Sequence, residues 1–226
     1  MSNKLKNALL IFARQPVPGK VKTRLSPPLF PEEAADLYGC MLGDVLAMAA
    51  SLPDVEKYLF YDGGEESLEY FKGRVSGMTC IPQRGKDLGE RMAEALRDVI
   101  SQGKRAAVII GTDSPDLPSA LIEDAFGRLE RGDLGVVVGP SEDGGYYLVG
   151  MTRLHCELFR DISWSSDKVL EETMKRASDA GIAISLLPMW RDVDTAADLE
   201  RPELRDEMNS APLTREFLLN RLQGKK

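Results

Sequence analysis

The side chains able to hold a phosphate or a hard cation lie in four short segments of this 226-residue chain. The first, Phe12-Ala-Arg-Gln-Pro-Val-Pro-Gly-Lys-Val-Lys-Thr-Arg-Leu25, follows an apolar run and gathers Arg14, Lys20, Lys22 and Arg24 around two prolines and Gly19. A stiffened cationic loop of this kind presents backbone N–H groups and guanidinium forks to a phosphate or pyrophosphate. It is not a Walker A loop, because Val21 follows Gly19-Lys20, and it lacks the G-x-G-x-x-G dinucleotide pattern. Lys22 and Arg24 are the expected grips on a diphosphate. Lys20 would face solvent if side chains alternate along an extended loop.

The second segment, Ala106-Ala-Val-Ile-Ile-Gly-Thr-Asp-Ser-Pro-Asp-Leu-Pro118, carries Asp113 at the end of an apolar run and Asp116 three residues on. Hard cations such as Mg²⁺ take carboxylate oxygens and are held by one or two protein carboxylates plus substrate phosphates. Asp113 is the expected ligand; Asp116 fits a helix cap or turn equally well. In the third segment, Gly139-Pro-Ser-Glu-Asp-Gly-Gly-Tyr-Tyr-Leu-Val-Gly150, Asp143 before a Gly pair reads as a turn, while Gly144 and Gly145 permit close approach of a ligand. In the fourth, Arg191-Asp-Val-Asp-Thr-Ala-Ala-Asp-Leu199, Asp194 either caps the next helix through Thr195 or supplies a second carboxylate, and Asp192 competes for that role. Trp164 could stack on a base, sugar or acceptor, or serve as a core or lid residue.

Charge is unevenly spread. No acidic residue precedes Glu32, so the first 31 residues carry +6 (Lys4, Lys6, Arg14, Lys20, Lys22, Arg24) and the rest of the chain −13, for a net −7. A basic leader on an acidic body suits a local anion site, not a broad nucleic-acid surface. Three separated cysteines and a single histidine, His155, argue against a disulfide framework, a thiolate zinc site or a His-rich metal centre. No apolar stretch approaches the ~20 residues of a bilayer span. Lys4 and Lys6 before residues 8–13 imitate a secretion signal, but six apolar residues interrupted by Arg14 read better as a buried strand. A cytoplasmic protein is expected.

The elements that must position these segments alternate along the chain. Residues 7–13, 55–61, 78–82, 106–111, 134–139 and 182–187 read as strands; the first and fourth are nearly continuous apolar runs, as in strands buried on both faces. Residues 31–52, 87–102, 118–131 and 166–180 read as helices, with Pro31 in a first turn and Asp87/Glu90 in a capping pattern. Residues 146–150 fit an extra strand or a hairpin arm, and 195–201 and 213–222 look helical. The pattern predicts one α/β domain over 1–226, a three-layer α/β/α arrangement around a mainly parallel Rossmann-like sheet. Ligands of such sheets bind outside the carboxyl ends of the strands, where the first three segments emerge.

FARQPVPGKVKTRL, DLGERM, IGTDSPDLP, GPSEDGGYYLVG, ISWSS and RDVDTAADL, in that order, resemble the radical-SAM/selenodomain-associated transferases, which have the nucleotide-diphospho-sugar transferase (GT-A) fold. The likeness runs from about Leu9 to Leu199. It implies that Arg14–Arg24 binds nucleotide phosphates, that Asp113 holds the metal, and that Asp143, Gly144 and Gly145 line the sugar or acceptor side. In place of the G-x-G-x-R-M loop of nucleotidyltransferases the chain has Pro16-Val-Pro-Gly19. The first functional reading is glycosyl transfer from a nucleotide-diphospho-sugar to a small acceptor, with Mg²⁺ or Mn²⁺ on Asp113 and Asp194, Asp143 as acceptor base, and cations of the basic loop on the diphosphate. The alternative is nucleotidyl transfer from an NTP to a small phosphorylated or hydroxyl acceptor with release of pyrophosphate. A third reading is a nucleotide-binding protein without chemistry. Oligomeric state is left open.

Overall fold

A computed structural model describes residues 6–132 and 135–223. Lys4 and Leu134 lie outside the described residues. Strands β1 (Asn7–Arg14), β2 (Val55–Asp62), β3 (Met78–Pro82), β4 (Ala107–Ile110), β5 (Val136–Pro140), β6 (Tyr146–Met151) and β7 (Ile184–Leu186) form one sheet in the order β3-β2-β1-β4-β6-β5-β7. All pairings are parallel except those of β6, which runs antiparallel to both β4 and β5. The segment after Gly144-Gly145 is thus a hairpin arm that returns from β5 and inserts beside β4.

Period-two side-chain direction builds the layers. Leu9, Ile11, Val108 and Ile110 meet α1 (Pro31–Ser51), α2 (Glu65–Lys72) and α4 (Ser119–Arg131) on one face. Leu10, Phe60, Ile109 and Val149 meet α3 (Leu88–Ile100) and α5 (Val169–Asp179) on the other. The expected three-layer α/β/α architecture is therefore the observed one. At the start of α3 the Asp87 carboxylate accepts from Glu90 N–H at 2.8 Å, as its capping pattern predicts; Glu90 in turn accepts from Lys86 N–H at 2.9 Å, not from Asp87.

Several boundaries differ from the expected ones for local reasons. The helix expected from 166 starts at Val169, because the Ser166 hydroxyl donates to Ser163 C=O and accepts from Lys168 N–H, making a turn there. Residues 195–201 form only a 3-10 turn over Asp198–Glu200, since the Asp198 carboxylate folds back onto Asp194 N–H and Thr195 N–H. Helix α2 was not expected at all; it follows the Gly63-Gly64 turn. Cys40, Cys80 and Cys156 are free thiols, and no described helix is long and apolar enough to cross a membrane.

The C-terminal helix α6 (Pro212–Gln223) docks on α1 through Asp44, a buried carboxylate that accepts from Leu213 N–H at 3.0 Å and Thr214 N–H at 2.8 Å. It meets the donors that a helix start leaves without intrahelical partners. Asp44→Ala should lower unfolding free energy by about 1–2 kcal/mol, read as a fall in the urea midpoint at unchanged slope. An unchanged midpoint would remove Asp44 from the docking of α6.

Candidate active site

The sheet order reverses at β1: β2 and β3 lie on one side, β4 and the later strands on the other. This leaves a crevice between the carboxyl ends of β1 and β4, the position at which open α/β sheets bind ligands. The loop leaving β1 turns at once, with Lys20 N–H on Val17 C=O at 3.0 Å and Gly19 at φ 74°. Pro18 followed by a positive-φ glycine is the signature of a type II turn, so Gly19 is required by the turn. Lys20 is exposed, as an alternating loop predicts. Val21 turns inward against Ala35 and Tyr38 of α1 and anchors the loop.

Lys22 does not lie open to a diphosphate as expected. Its side chain is only 3% exposed, and its ammonium lies between the carboxylates of Asp113 and Asp194, reaching Asp194 Oδ1 at 2.9 Å. Burial alone lowers an ammonium pKa, but the two carboxylates outweigh it and hold Lys22 above the ordinary lysine value. Packing explains the convergence. Leu25, just beyond the loop, and Val193, between the two acidic positions, share an apolar cluster with Leu37 and Met41 of α1. Val193 N–H also donates to Asp113 C=O at 2.8 Å. Arg24 is 65% exposed on its side chain and reaches Asp194 Oδ2 at 3.4 Å. Asp194 does not cap through Thr195; Asp198 caps both residues and so orients Asp194.

Residues leaving β4 alternate in and out. Thr112 is buried with its hydroxyl 2.9 Å from Tyr38 Oη, which also accepts Arg14 N–H at 3.0 Å; Asp113 points out; Ser114 is buried and donates to Asp192 Oδ1 at 2.7 Å. Asp192 therefore stands beside the Asp113–Lys22–Asp194 triad without joining it. Asp116 neither caps α4 nor approaches the triad: it accepts from Trp190 Nε1 at 3.3 Å and tethers the chain after β7.

Burial pushes the Asp192 carboxyl up to about 6; Ser114 and Lys22 oppose the rise, and the charges of Asp113 and Asp143 add to it. The unfolded chain releases this proton near pH ~3.9, so between about pH 4 and 6 the folded state binds more protons. This residue's contribution to stability therefore declines as pH rises through that window. Asp192→Asn should stabilise the metal-free protein by about 1–2 kcal/mol at pH 7.5, a discounted value for a pKa difference of about two units, and by almost nothing at pH 4. Urea titrations in chelator at the two pH values test this; a pH-independent difference would contradict it.

On the far side of the crevice Asp143 forms a tight turn, accepting from the Ser141 hydroxyl and from Gly145 N–H at 2.9 Å. Gly144, at φ 88°, lies directly against the Asp167 backbone and accepts Leu170 N–H at 2.9 Å, so its missing Cβ makes room for the chain before α5. Gly145 contacts its own turn, near Asp143 Oδ1 and Ser141 Oγ. Trp164 packs over Gly89 at the start of α3, with its ring edge-on to Tyr146 at 6.4 Å, and is partly buried against the core. These contacts give Trp164 a packing role in this conformation. His155, outside the crevice, is buried and accepts from Arg153 Nε at 3.2 Å.

The sequence reading missed a second charged group on the rim. Asp62, at the end of β2, lies between Arg14 Nε at 3.5 Å and Arg91 of α3 at 3.3 Å. Arg91 belongs to the quoted DLGERM motif, and that was its only sequence signal. Arg14 is thus at the ligand edge as expected, 62% exposed and paired with a carboxylate.

Among the described residues no three Asp, Glu, His or Cys side chains close around one point to enclose an ion. The pair Asp113–Asp194 already converges on a cation, the Lys22 ammonium, and offers only carboxylate oxygens. That donor chemistry suits Mg²⁺ or Mn²⁺ held by two protein carboxylates with phosphates completing the shell.

The fold is that of the nucleotide-diphospho-sugar transferases, and the chain is a transferase of that fold. The crystal structure of a candidate nucleotide-diphospho-sugar transferase from Desulfovibrio desulfuricans G20 is similar over 95% of this chain and 97% of that one, at 32% identity and a TM-score of 0.83. More narrowly, the chain belongs to the family described as uncharacterized protein conserved in bacteria (DUF2064), whose model matches residues 45–166. A 2-phospho-L-lactate guanylyltransferase of Methanothermobacter thermautotrophicus is 29% identical over 202 residues, 87% of this chain and 83% of the relative. A cytidylyltransferase from Leptospira borgpetersenii serovar Hardjo-bovis shares the fold at 14% identity and a TM-score of 0.58, over 98% of this chain and 95% of that one.

Proposed function

We propose that the chain is a divalent-metal-assisted nucleotidyltransferase: an oxygen of a small phosphorylated or hydroxyl acceptor attacks the α-phosphorus of an NTP, and pyrophosphate leaves. One observation carries this reading. Two carboxylates, Asp113 and Asp194, converge on Lys22, one of the four cations between Arg14 and Arg24, at the crevice where the strand order reverses. The likeness to a guanylyltransferase over most of both chains supports it further. The preference for nucleotidyl transfer over the glycosyl reading rests on that likeness.

Asp113 and Asp194 would hold Mg²⁺ or Mn²⁺, which would supply neutralisation of the negative charge of the substrate phosphates. Arg24 and Lys20 supply fixed positive charge along the departing pyrophosphate, stabilising charge as it develops. Arg14 would reach a phosphate from the β1 end by leaving Asp62. Asp198, through its three hydrogen bonds to Asp194 and Thr195, keeps Asp194 in register. Gly144, Gly145 and the Asp143 turn would border the acceptor side, with the Asp143 carboxylate taking the acceptor proton.

Glycosyl transfer from a nucleotide-diphospho-sugar is the second reading, supported by the likeness at 32% identity. The two separate by product. Each of four NTPs, with 2-phospho-L-lactate as acceptor, and a panel of nucleotide sugars are incubated with enzyme and Mg²⁺ or Mn²⁺. Metal-dependent pyrophosphate release that requires both NTP and acceptor is expected. Nucleoside diphosphate released only from a sugar donor would overturn the proposal in favour of the second reading. Nucleotide affinity with neither product would make the chain a binding protein.

A further inference from the structure

Lys22 is a charged side chain placed where a cation bound by Asp113 and Asp194 would sit. Its ammonium uses Asp113 Oδ1 and Asp194 Oδ1, while the other Asp194 oxygen faces Arg24 at 3.4 Å. A dication held by the pair would meet this ammonium within a few ångströms, a repulsive arrangement. Lys22 also holds φ 47° and ψ 39°, the left-handed region that a side chain with a Cβ enters at a cost. It belongs to the same loop as exposed Lys20 and Arg24, so a released ammonium stays beside two other cations.

We propose that Lys22 is a positioning residue: the resident counter-ion that keeps Asp113 and Asp194 converged until a divalent cation replaces it, after which its ammonium turns to the substrate phosphates. The inference rests on the metal-assisted reading above.

Mn²⁺ alone is the probe, with binding followed by loss of the free-ion paramagnetic resonance signal. In the same samples, lysines are acetylated in short pulses and quantified peptide by peptide, with Lys20 as reference. Without metal, Lys22 should label more than about tenfold more slowly than Lys20, as a group shielded from solvent does. With Mn²⁺ bound, the two rates should become comparable. Bound Mn²⁺ with Lys22 still protected would overturn the exchange while leaving the metal site standing. Failure of the wild-type protein to bind Mn²⁺ would instead remove the metal reading itself, and this inference with it. Lys22→Met should bind Mn²⁺ at least about tenfold more tightly, because a competing positive charge is gone, whereas Lys22→Arg should bind like wild type. Equal or weaker binding by Lys22→Met would contradict the proposal. Should Lys22→Met fail to fold, the labelling of the unaltered protein decides alone.

Discussion

Asp113→Asn should leave the protein folded and lower its affinity for Mg²⁺ or Mn²⁺ by at least about 100-fold in the presence of nucleotide. The amide keeps the size of the carboxylate and loses the anionic oxygen a hard cation prefers. Second-shell partners alone are worth about 10- to 100-fold, and in the proposed site Asp113 would touch the ion itself. The fold should survive because Lys22 retains Asp194 at 2.9 Å, and Asp113 is itself 53% exposed on its side chain. Metal titration of both proteins, with circular dichroism as the folding control, provides the comparison. Equal affinities would take Asp113 out of the metal site.

The second large effect is expected at Arg24. Its pair with Asp194 is long and solvent-exposed, and pairs of that kind contribute little to stability, so the guanidinium is free to turn to a phosphate. Arg24→Ala should weaken nucleoside triphosphate binding about ten- to a hundredfold, the value of a charge-assisted hydrogen bond of roughly 1.5–3 kcal/mol. Affinity for the bare nucleoside should hardly change, since it carries no charge to be read. Arg24→Lys should fall between the two, a point charge replacing a fork. Calorimetry with both ligands decides: equal losses for nucleoside and triphosphate, or none for either, would make Arg24 a surface residue.

The architecture was readable where a strong local signal coincided with burial. The continuous apolar runs at residues 7–13 and 106–111 became the two strands that flank the crevice, and their chain order put the basic loop and Asp113 on one edge. Asp87 announced the start of α3 because an N-cap is decided within four residues. Residues 146–150 read equally as an extra strand or a hairpin arm, although the five residues between β5 and β6 are too few for a parallel crossover. Helix α2 escaped because it is a single short amphipathic stretch of eight residues beside a Gly pair.

The site was legible as a collection of segments but not as a set of contacts. Lys22 read, with Arg24, as an open grip on a diphosphate; its burial depends on an ion pair with Asp194, 172 residues away, drawn in by Leu25 and Val193. Asp192 and Asp194 could not be told apart in sequence, and the structure separates them by their partners, Ser114 for one and Lys22 for the other. The Asp62–Arg91 pair stayed invisible for the same reason, joining the end of β2 to a helix 29 residues later. Trp164 read either as a stacking platform for a ligand or as a core or lid residue, and its contacts are those of packing, since Gly89 leaves a gap that its indole fills.

The claim that the crevice transfers a nucleotidyl group is tested most directly by the fate of the α-phosphorus. An NTP radiolabelled at that atom is incubated with enzyme, Mg²⁺ or Mn²⁺ and 2-phospho-L-lactate, and the products are separated by charge. The label should move into a new compound in which the acceptor oxygen is joined to the α-phosphorus, while the pyrophosphate released carries none. Label remaining in unreacted NTP for every base, with nucleoside diphosphate appearing only when a nucleotide sugar is supplied, would contradict the account.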